Sequence, residues 1–365
     1  MKTTAAVLRT GDGPFEIVEL DLDGPGPGEV LVEVTATGFC HTDTGMRAPF
    51  RNTPWPAVLG HEGAGRIAQV GAGVNLLVGQ PVILSFRYCG ACRNCHAGAP
   101  TSCDTMMPLN FALSRTDGTT AFSDNGAPVG SHFFGQSTFA THTVVDARSV
   151  VPVSDTVDLE TVGPLGCGVQ TGAGAVLNCL RPWPGSSFAV LGAGSVGLSA
   201  LLAAGYLGCD RLIAVDRNPD RLALATELGA THTVLVGEGT ELDAALLEAT
   251  DGRGVDRCFD NTGVGDVVGP AMRGLAISGV LGTVAASGSA ETTVSLRQML
   301  PGRTLMGILE GASMPQVFIP ELLALHKAGH FPFDRLITHY PFAEINQAEA
   351  DSNEGRVVKP VLRMP

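Results

Sequence analysis

Residues 188–197 read Phe188-Ala-Val-Leu-Gly-Ala-Gly-Ser-Val-Gly197, and this stretch decides the fold. Its apolar opening reads as a buried strand, and a helix-like segment, Val196–Leu207, follows at once. Between them Gly192, Gly194 and Gly197 make a GxGxxG turn. Alone that pattern is weak; between a strand and a helix it is built to seat a pyrophosphate at a helix N-terminus. Asp216 closes the next apolar run, Leu212-Ile-Ala-Val. A carboxylate there suits the ribose 2′-hydroxyl of NAD and disfavours a 2′-phosphate. Arg217, beside it, pulls the other way because a guanidinium attracts phosphate.

Working outward, short apolar runs (Phe188–Leu191, Leu212–Val215, Val280–Val284) alternate with helix-like stretches (Val196–Leu207, Pro219–Leu228, Leu242–Ala249). Strands alternating with helices predict βαβ units and a doubly wound, Rossmann-type parallel sheet over residues 169–309. Upstream the chain is strand-like and turn-rich. Glu29-Val-Leu-Val-Glu-Val-Thr alternates, Gly24-Pro-Gly-Pro-Gly punctuates it, and residues 105–138 read as irregular with Asp117-Gly and Asn125-Gly turns. Downstream a helix is expected around Glu321–Ala328 and a closing strand near Val357–Leu362. The predicted class is α/β: a β-rich catalytic domain, residues 1–168 and 310–365, interrupted by the nucleotide domain.

At 365 residues with 44% hydrophobic and 16% charged side chains, the chain suits two domains with sizeable cores. Acidic residues outnumber basic ones, 36 to 23, which argues against nucleic acid or an anionic membrane as the partner. The sequence has no long apolar run, and its N-terminus has no signal-peptide character. A cytoplasmic, reducing setting is the expectation, so the nine cysteines read as thiols rather than disulfides. Cys179, Cys209 and Cys258 read as small buried hydrophobes.

The other six cysteines carry metal patterns. Cys89, Cys92, Cys95 and Cys103 crowd one loop, about residues 89–103. Four soft thiolates make a closed tetrahedral site for zinc, or by spacing alone an iron–sulfur centre, with a structural task. Cys40 in Gly38-Phe-Cys-His-Thr-Asp43, His61 in Gly60-His-Glu62 and Cys167 in Gly166-Cys-Gly168 are scattered. Together they offer two thiolates and an imidazole, a set that leaves a fourth zinc position open. A ligating histidine commonly donates its second ring nitrogen to a carboxylate, and Asp43 is the candidate.

These motifs, in this order and across essentially the whole chain, resemble the zinc-containing medium-chain dehydrogenase/reductase family. Gly60-His-Glu-Gly-Ala-Gly65, the four-cysteine lobe and the dinucleotide fingerprint carry the resemblance. Gly163–Asn178 and Phe331–Ile337 are similar to its aryl-alcohol (benzyl alcohol) dehydrogenase branch. The resemblance implies a GroES-like first domain, two zinc ions per chain and NAD. It matches Cys40, His61 and Cys167 to the catalytic zinc, as in the known Cys2His set of alcohol dehydrogenases, and the four clustered cysteines to the structural zinc. It matches Thr42 to the hydroxyl that takes the alcohol's proton and Glu62 to a carboxylate near the zinc. Thr171 and Val196 match nicotinamide contacts, Asp216 and Arg221 adenosine-ribose contacts, and His41 and Lys359 basic side chains facing the pyrophosphate. In one respect the chain departs: Gly45 stands where many members end the proton relay in a histidine. Arg47 lies close by and reads as a solvated surface arginine.

The implied activity is reversible hydride transfer between a primary alcohol, aromatic or allylic, and NAD, giving the aldehyde. The small-molecule alcohol or aldehyde is the partner, with no nucleic acid or membrane, and a homodimer or homotetramer is expected. An NAD(P)-dependent aldehyde reductase and an aliphatic or terpene alcohol dehydrogenase are the neighbouring alternatives. A metal hydrolase has no use for the fingerprint. A non-catalytic NAD-binding protein has no use for Cys40, Thr42, His61 and Cys167, and a zinc-free quinone reductase none for the cysteine lobe. Trp55, Phe86, Phe111, Phe133 and Ile308 are the apolar residues expected near the substrate, and Glu310 stands where an apolar contact is expected.

Overall fold

The computed structural model describes residues 1–48, 52–284 and 291–365. The chain divides into two compact units: Met1–Cys167 with Met314–Leu323 and Asp334–Pro365, and Gly168–Ser313 with Ala324–Phe333. Within 310–365, residues 310–313 and 324–333 fall in the second unit and residues 314–323 and 334–365 in the first.

The first unit holds two sheets. In one, Lys2–Leu8 pairs antiparallel with Phe15–Leu22 and with Ala57–Val58, and Phe15–Leu22 leads on to the hairpin Phe122–Asp124/Ala127–Val129. Asn125 (φ 49°) and Gly126 (φ 83°) make that hairpin's turn, and an Asn-Gly pair tolerates two left-handed residues in succession. So the stretch read as irregular contains a hairpin, and the helix Met106–Phe111 before it.

The larger sheet is ordered Val150–Pro152, Pro81–Leu84, Gly63–Val70, Glu29–Gly38, Lys359–Arg363, Ile337–Pro341, with His142–Asp146 also pairing with Glu29–Gly38. The strand Glu29–Gly38 is buried along nearly its whole length despite its alternating sequence. Glu29 goes inside because Arg115 (2.9 Å) and His132 (3.0 Å) meet its carboxylate. Charge pairing, rather than half-exposure, explains the alternation there. Lys359–Arg363 runs antiparallel to this strand, with Val361 opposite Gly38, so the end of the chain is delivered to residues near Cys40.

The second unit is a six-stranded parallel sheet, ordered His232–Leu235, Arg211–Asp216, Ser187–Leu191, Val255–Asp260, Leu275–Thr283, Thr304–Gly307. In chain order that is 3-2-1-4-5-6, the doubly wound dinucleotide-binding arrangement, whose direction reverses beside Ser187–Leu191. Helices Ser195–Tyr206, Pro219–Glu227 and Leu242–Glu248 stand where the sequence predicts them. The α/β class and the pairing of a β-rich unit with a Rossmann-type unit are those the sequence predicts. Among the described residues no helix is long and apolar enough to cross a membrane.

Candidate functional site

Cys40 caps the short helix His41–Gly45 directly after the long strand, His61 and Glu62 precede Gly63–Val70, and Cys167 follows the turn Gly163–Gly166. Drawn from three separate stretches of sequence, these four residues bring one ligand atom each to within 4.8 Å of one another. His61 and Glu62 are fully buried, and Cys167 is 6% exposed.

Asp43 organises the group. Its Oδ1 accepts from His61 Nδ1 (3.1 Å) and from the Gly60 amide (3.0 Å), and its Oδ2 from the Cys40 amide (3.0 Å). His61 Nε2 is left buried with no hydrogen-bond partner among the described residues. A buried imidazole nitrogen facing thiols is costly unless something binds it. The hydrogen bond from Cys167 pulls the Cys40 thiol well below the ordinary thiol range, the Lys359 charge helps, and burial opposes both. Burial pushes His61 down, but Asp43 overrides it and holds the imidazole well above its ordinary range. A thiolate-prone cysteine and an imidazole with one nitrogen engaged and the other aimed at it suit zinc.

Lys359 has neighbours other than those read from sequence. Its ammonium is 2% exposed and sits 2.9 Å from both Glu62 oxygens and 3.2 Å from the Phe39 carbonyl. Burial pushes the Glu62 carboxyl up, and the Lys359 charge opposes that. Thr42 Oγ1 lies 3.7 Å from the Cys40 sulfur, and Arg47, far from solvated, donates to the Gly13 carbonyl (2.5 Å) and to Glu349 (2.8 Å).

Aromatic rings pack against His61. Phe134 stacks on it at 4.5 Å with 24° between planes, Phe133 meets it edge-on at 5.2 Å, and Phe111 touches both phenylalanines. Phe134 was not singled out from sequence. Its loop is left-handed at His132 (φ 63°), Phe134 (φ 54°) and Ser137 (φ 59°), a conformation that costs on the order of 1 kcal/mol or more per residue. Ser137 Oγ bonded to the Val58 carbonyl (2.7 Å) and Gln136 bonded to the His61 carbonyl (2.9 Å) hold it there. No local spacing signals this loop. Phe86 meets Tyr88 (6.2 Å between ring centres) rather than His61, and Trp55 lies against Gly11.

The lobe cysteines Cys89, Cys92, Cys95 and Cys103 form the second group with ligand atoms within 4.8 Å. Backbone amides of Ala91 (3.4 Å) and Cys92 (3.2 Å) point at the Cys89 sulfur, and the Cys89 amide points at that of Cys103 (3.3 Å). Amides turned toward sulfur favour thiolates, the form a closed zinc site uses.

In the second unit the fingerprint is built as its glycines require. Gly192 has φ 92°, a Cβ on Gly197 would lie 1.9 Å from the Gly192 carbonyl, and Gly194 faces open space. That space at the start of Ser195–Tyr206 suits a pyrophosphate. Asp216, 8% exposed, accepts from the Ala193 amide (2.6 Å) and the Asn218 amide (2.8 Å). Arg221 Nε is buried without a hydrogen-bond partner among the described residues, and Arg217 is exposed. Thr171, 5% exposed, donates to Glu310 at 3.4 Å. His41 is exposed and Val196 partly so. Ile308 packs in the core at 5% exposure.

Residues 26–155 match the alcohol dehydrogenase GroES-like domain, and residues 195–327 match the zinc-binding dehydrogenase family. Geraniol dehydrogenase of Castellaniella defragrans is 45% identical over 362 residues, 98% of this chain and 96% of that protein. The crystal structure of benzyl alcohol dehydrogenase from Acinetobacter calcoaceticus is 41% identical, covers both chains fully and superposes with a TM-score of 0.96. That of an alcohol dehydrogenase zinc-binding domain protein from Burkholderia ambifaria is 45% identical, with a TM-score of 0.96 over 100% of this chain and 99% of the other. Two domain matches in the expected order and full-length similarity at this level leave one assignment: the chain belongs to the zinc-binding alcohol dehydrogenases, oxidoreductases that act on CH–OH groups.

Proposed function

We propose that this alcohol dehydrogenase interconverts primary alcohols bearing a flat unsaturated group, aromatic or allylic, with their aldehydes, using NAD. The observation that carries the substrate class is the pair Phe133 and Phe134 packed on His61, with Phe111 against both phenylalanines. A flat π-system beside such rings gains offset or edge contacts on top of area burial, together a few kcal/mol at roughly 25 cal/mol per Å². Similarity to geraniol and benzyl alcohol dehydrogenases points the same way.

Cys40, His61 and Cys167 would hold the catalytic zinc, with Glu62 beside them, and the four lobe cysteines the structural one. When bound, zinc makes an alcohol hydroxyl a stronger acid, and the nicotinamide accepts two electrons and a proton as hydride. The protein's own groups do the rest. Thr42 Oγ relays the hydroxyl proton, accepting it while releasing its own to water, because Gly45 offers no side chain to carry it onward. Asp43 fixes the His61 ring so that Nε2 faces the thiols. Lys359 neutralises Glu62, leaving the thiolates as the net negative charge of the cluster. Gly192, Gly194, Gly197, Val196, Thr171, Asp216 and Arg221 bind the dinucleotide, with His41 the remaining basic group for the pyrophosphate. A homodimer or homotetramer is the proposed assembly, with a cytoplasmic location.

The test compares benzyl alcohol, geraniol, hexanol and ethanol at saturating NAD. Benzyl alcohol and geraniol should exceed ethanol in kcat/KM by a factor on the order of 10–1000. Ethanol or a short secondary alcohol ranking first would overturn the substrate class and leave the family assignment standing.

A further inference from the structure

Glu310 is a charged residue that the reaction outlined above does not use. It lies three residues beyond Thr304–Gly307, at the carboxyl edge of the parallel sheet, where open α/β sheets bind their ligands. It is 7% exposed. Glu310, Gly311 and Ala312 are all left-handed, with φ of 47°, 62° and 49°. Two of these carry a Cβ, so the backbone is held against its preference, as happens where a side chain must be aimed. The restraints are identifiable: Ser313 Oγ bonds the Glu310 carbonyl (2.7 Å) and Gln170 (3.0 Å), and Asn178 bonds the Gly311 carbonyl (2.9 Å).

The aimed group is a carboxylate, and its neighbour is Thr171, whose hydroxyl donates to Oε2 at 3.4 Å. Thr171 lies on Gly168–Gly174, which presses on the first turn of the fingerprint helix so closely that a Cβ on Gly172 would come within 2.0 Å of the Val196 carbonyl. Glu310 therefore sits beside the helix that abuts the fingerprint helix, in the same unit and at the same sheet edge. A dinucleotide whose pyrophosphate is seated on the fingerprint turn lies along this carboxyl edge, and its redox-active part changes charge in the reaction: the nicotinamide ring is a cation when oxidised and neutral when reduced.

We propose that Glu310 is a positioning residue whose carboxylate serves as counter-charge to the oxidised nicotinamide, raising affinity for NAD+ relative to NADH and easing release of the reduced cofactor. This rests on the second unit being the NAD site. One unit charge a few ångströms from the ring, partly screened, changes the relative affinity by about ten-fold.

The experiment measures Kd for NAD+ by calorimetry and for NADH by fluorescence, on zinc-loaded wild type, Glu310→Gln, Glu310→Met and Glu310→Asp. Kd(NADH)/Kd(NAD+) should fall about ten-fold in Glu310→Gln and in Glu310→Met, either of which suffices if the other does not fold. Glu310→Asp, which keeps the charge, should stay within about two- to three-fold of wild type. Equal weakening of both cofactors, which a merely structural role would produce, overturns the proposal, as does an unchanged ratio or an aspartate variant that behaves like the glutamine one. Failure of the wild type to bind either cofactor would instead overturn the reading of the NAD site and this proposal with it.

Discussion

Asp43 Oδ1 lies 3.1 Å from His61 Nδ1, and both side chains are completely buried. The same carboxylate accepts amide hydrogens from Gly60 and Cys40, so one side chain ties together two of the proposed ligand positions. Replacing Asp43 by Asn removes the charge while nearly preserving shape. Zinc affinity or activity should fall 10–100-fold, the usual effect of losing a group that orients a metal ligand. Chelator competition monitored by zinc release provides the measurement, and wild-type retention in Asp43→Asn would refute the role.

The two ligand groups predict two zinc ions per chain. Elemental analysis of fresh protein should find zinc near two equivalents and no iron. Cys167→Ser should keep about one equivalent and the fold while losing turnover. Cys95→Ser should lower stability instead, because structural zinc binding contributes on the order of 10 kcal/mol in small sites. Iron, or a Cys95→Ser protein as stable as wild type, would contradict the division of labour.

Glu29 should make stability depend on acid pH. Burial pushes its carboxyl up, but His132, Arg115 and the Gly26 amide prevail and hold it at about 2, against an ordinary 4.5. A folded value below the unfolded one stabilises the protein above about pH 4.5, and that contribution is lost as pH falls toward 2. Its size is about 3 kcal/mol. In urea unfolding, Glu29→Gln should be less stable than wild type by roughly 2–3 kcal/mol at pH 7. The gap should narrow below pH 4.5, where wild type begins to lose the contribution. A gap independent of pH would show that shape rather than charge is at stake.

Asp216 should make the enzyme prefer NAD to NADP. A 2′-phosphate beside this carboxylate costs on the order of 4 kcal/mol or more before screening, and exposed Arg217 offsets only part of it. Asp216→Ser should narrow the ratio of catalytic efficiencies by at least ten-fold. Equal efficiency of wild type with both cofactors would show that Arg217 prevails.

Local features were legible in the sequence because neighbours along the chain produce them. The lobe cysteines share one loop, the fingerprint joins a strand to a helix, and Asp216 ends a strand whose apolar run marks it. Hydrophobic periodicity located three of the nucleotide unit's helices and most of its inner strands. It missed Gly168–Gly174, because a glycine-rich segment has poor helix propensity. That helix forms where close packing against Val196 leaves no room for a Cβ.

Long-range pairing decided the rest. Lys359 reads as a basic residue facing phosphate until the antiparallel register of Val361 with Gly38 carries it to Glu62, across 297 positions. The Phe134 ring reaches His61 only through a loop of left-handed residues held by Ser137 and Gln136. Glu310 finds Thr171 across 139 positions for a similar reason. By itself the sequence determined the ligand types, the phosphate-binding turn and the order of strands and helices, since each depends on residues a few positions apart. Which charge neutralises which, and which ring lies on the proposed zinc ligand, only the tertiary structure decided, because those contacts depend on sheet register and backbone restraints that local spacing does not encode.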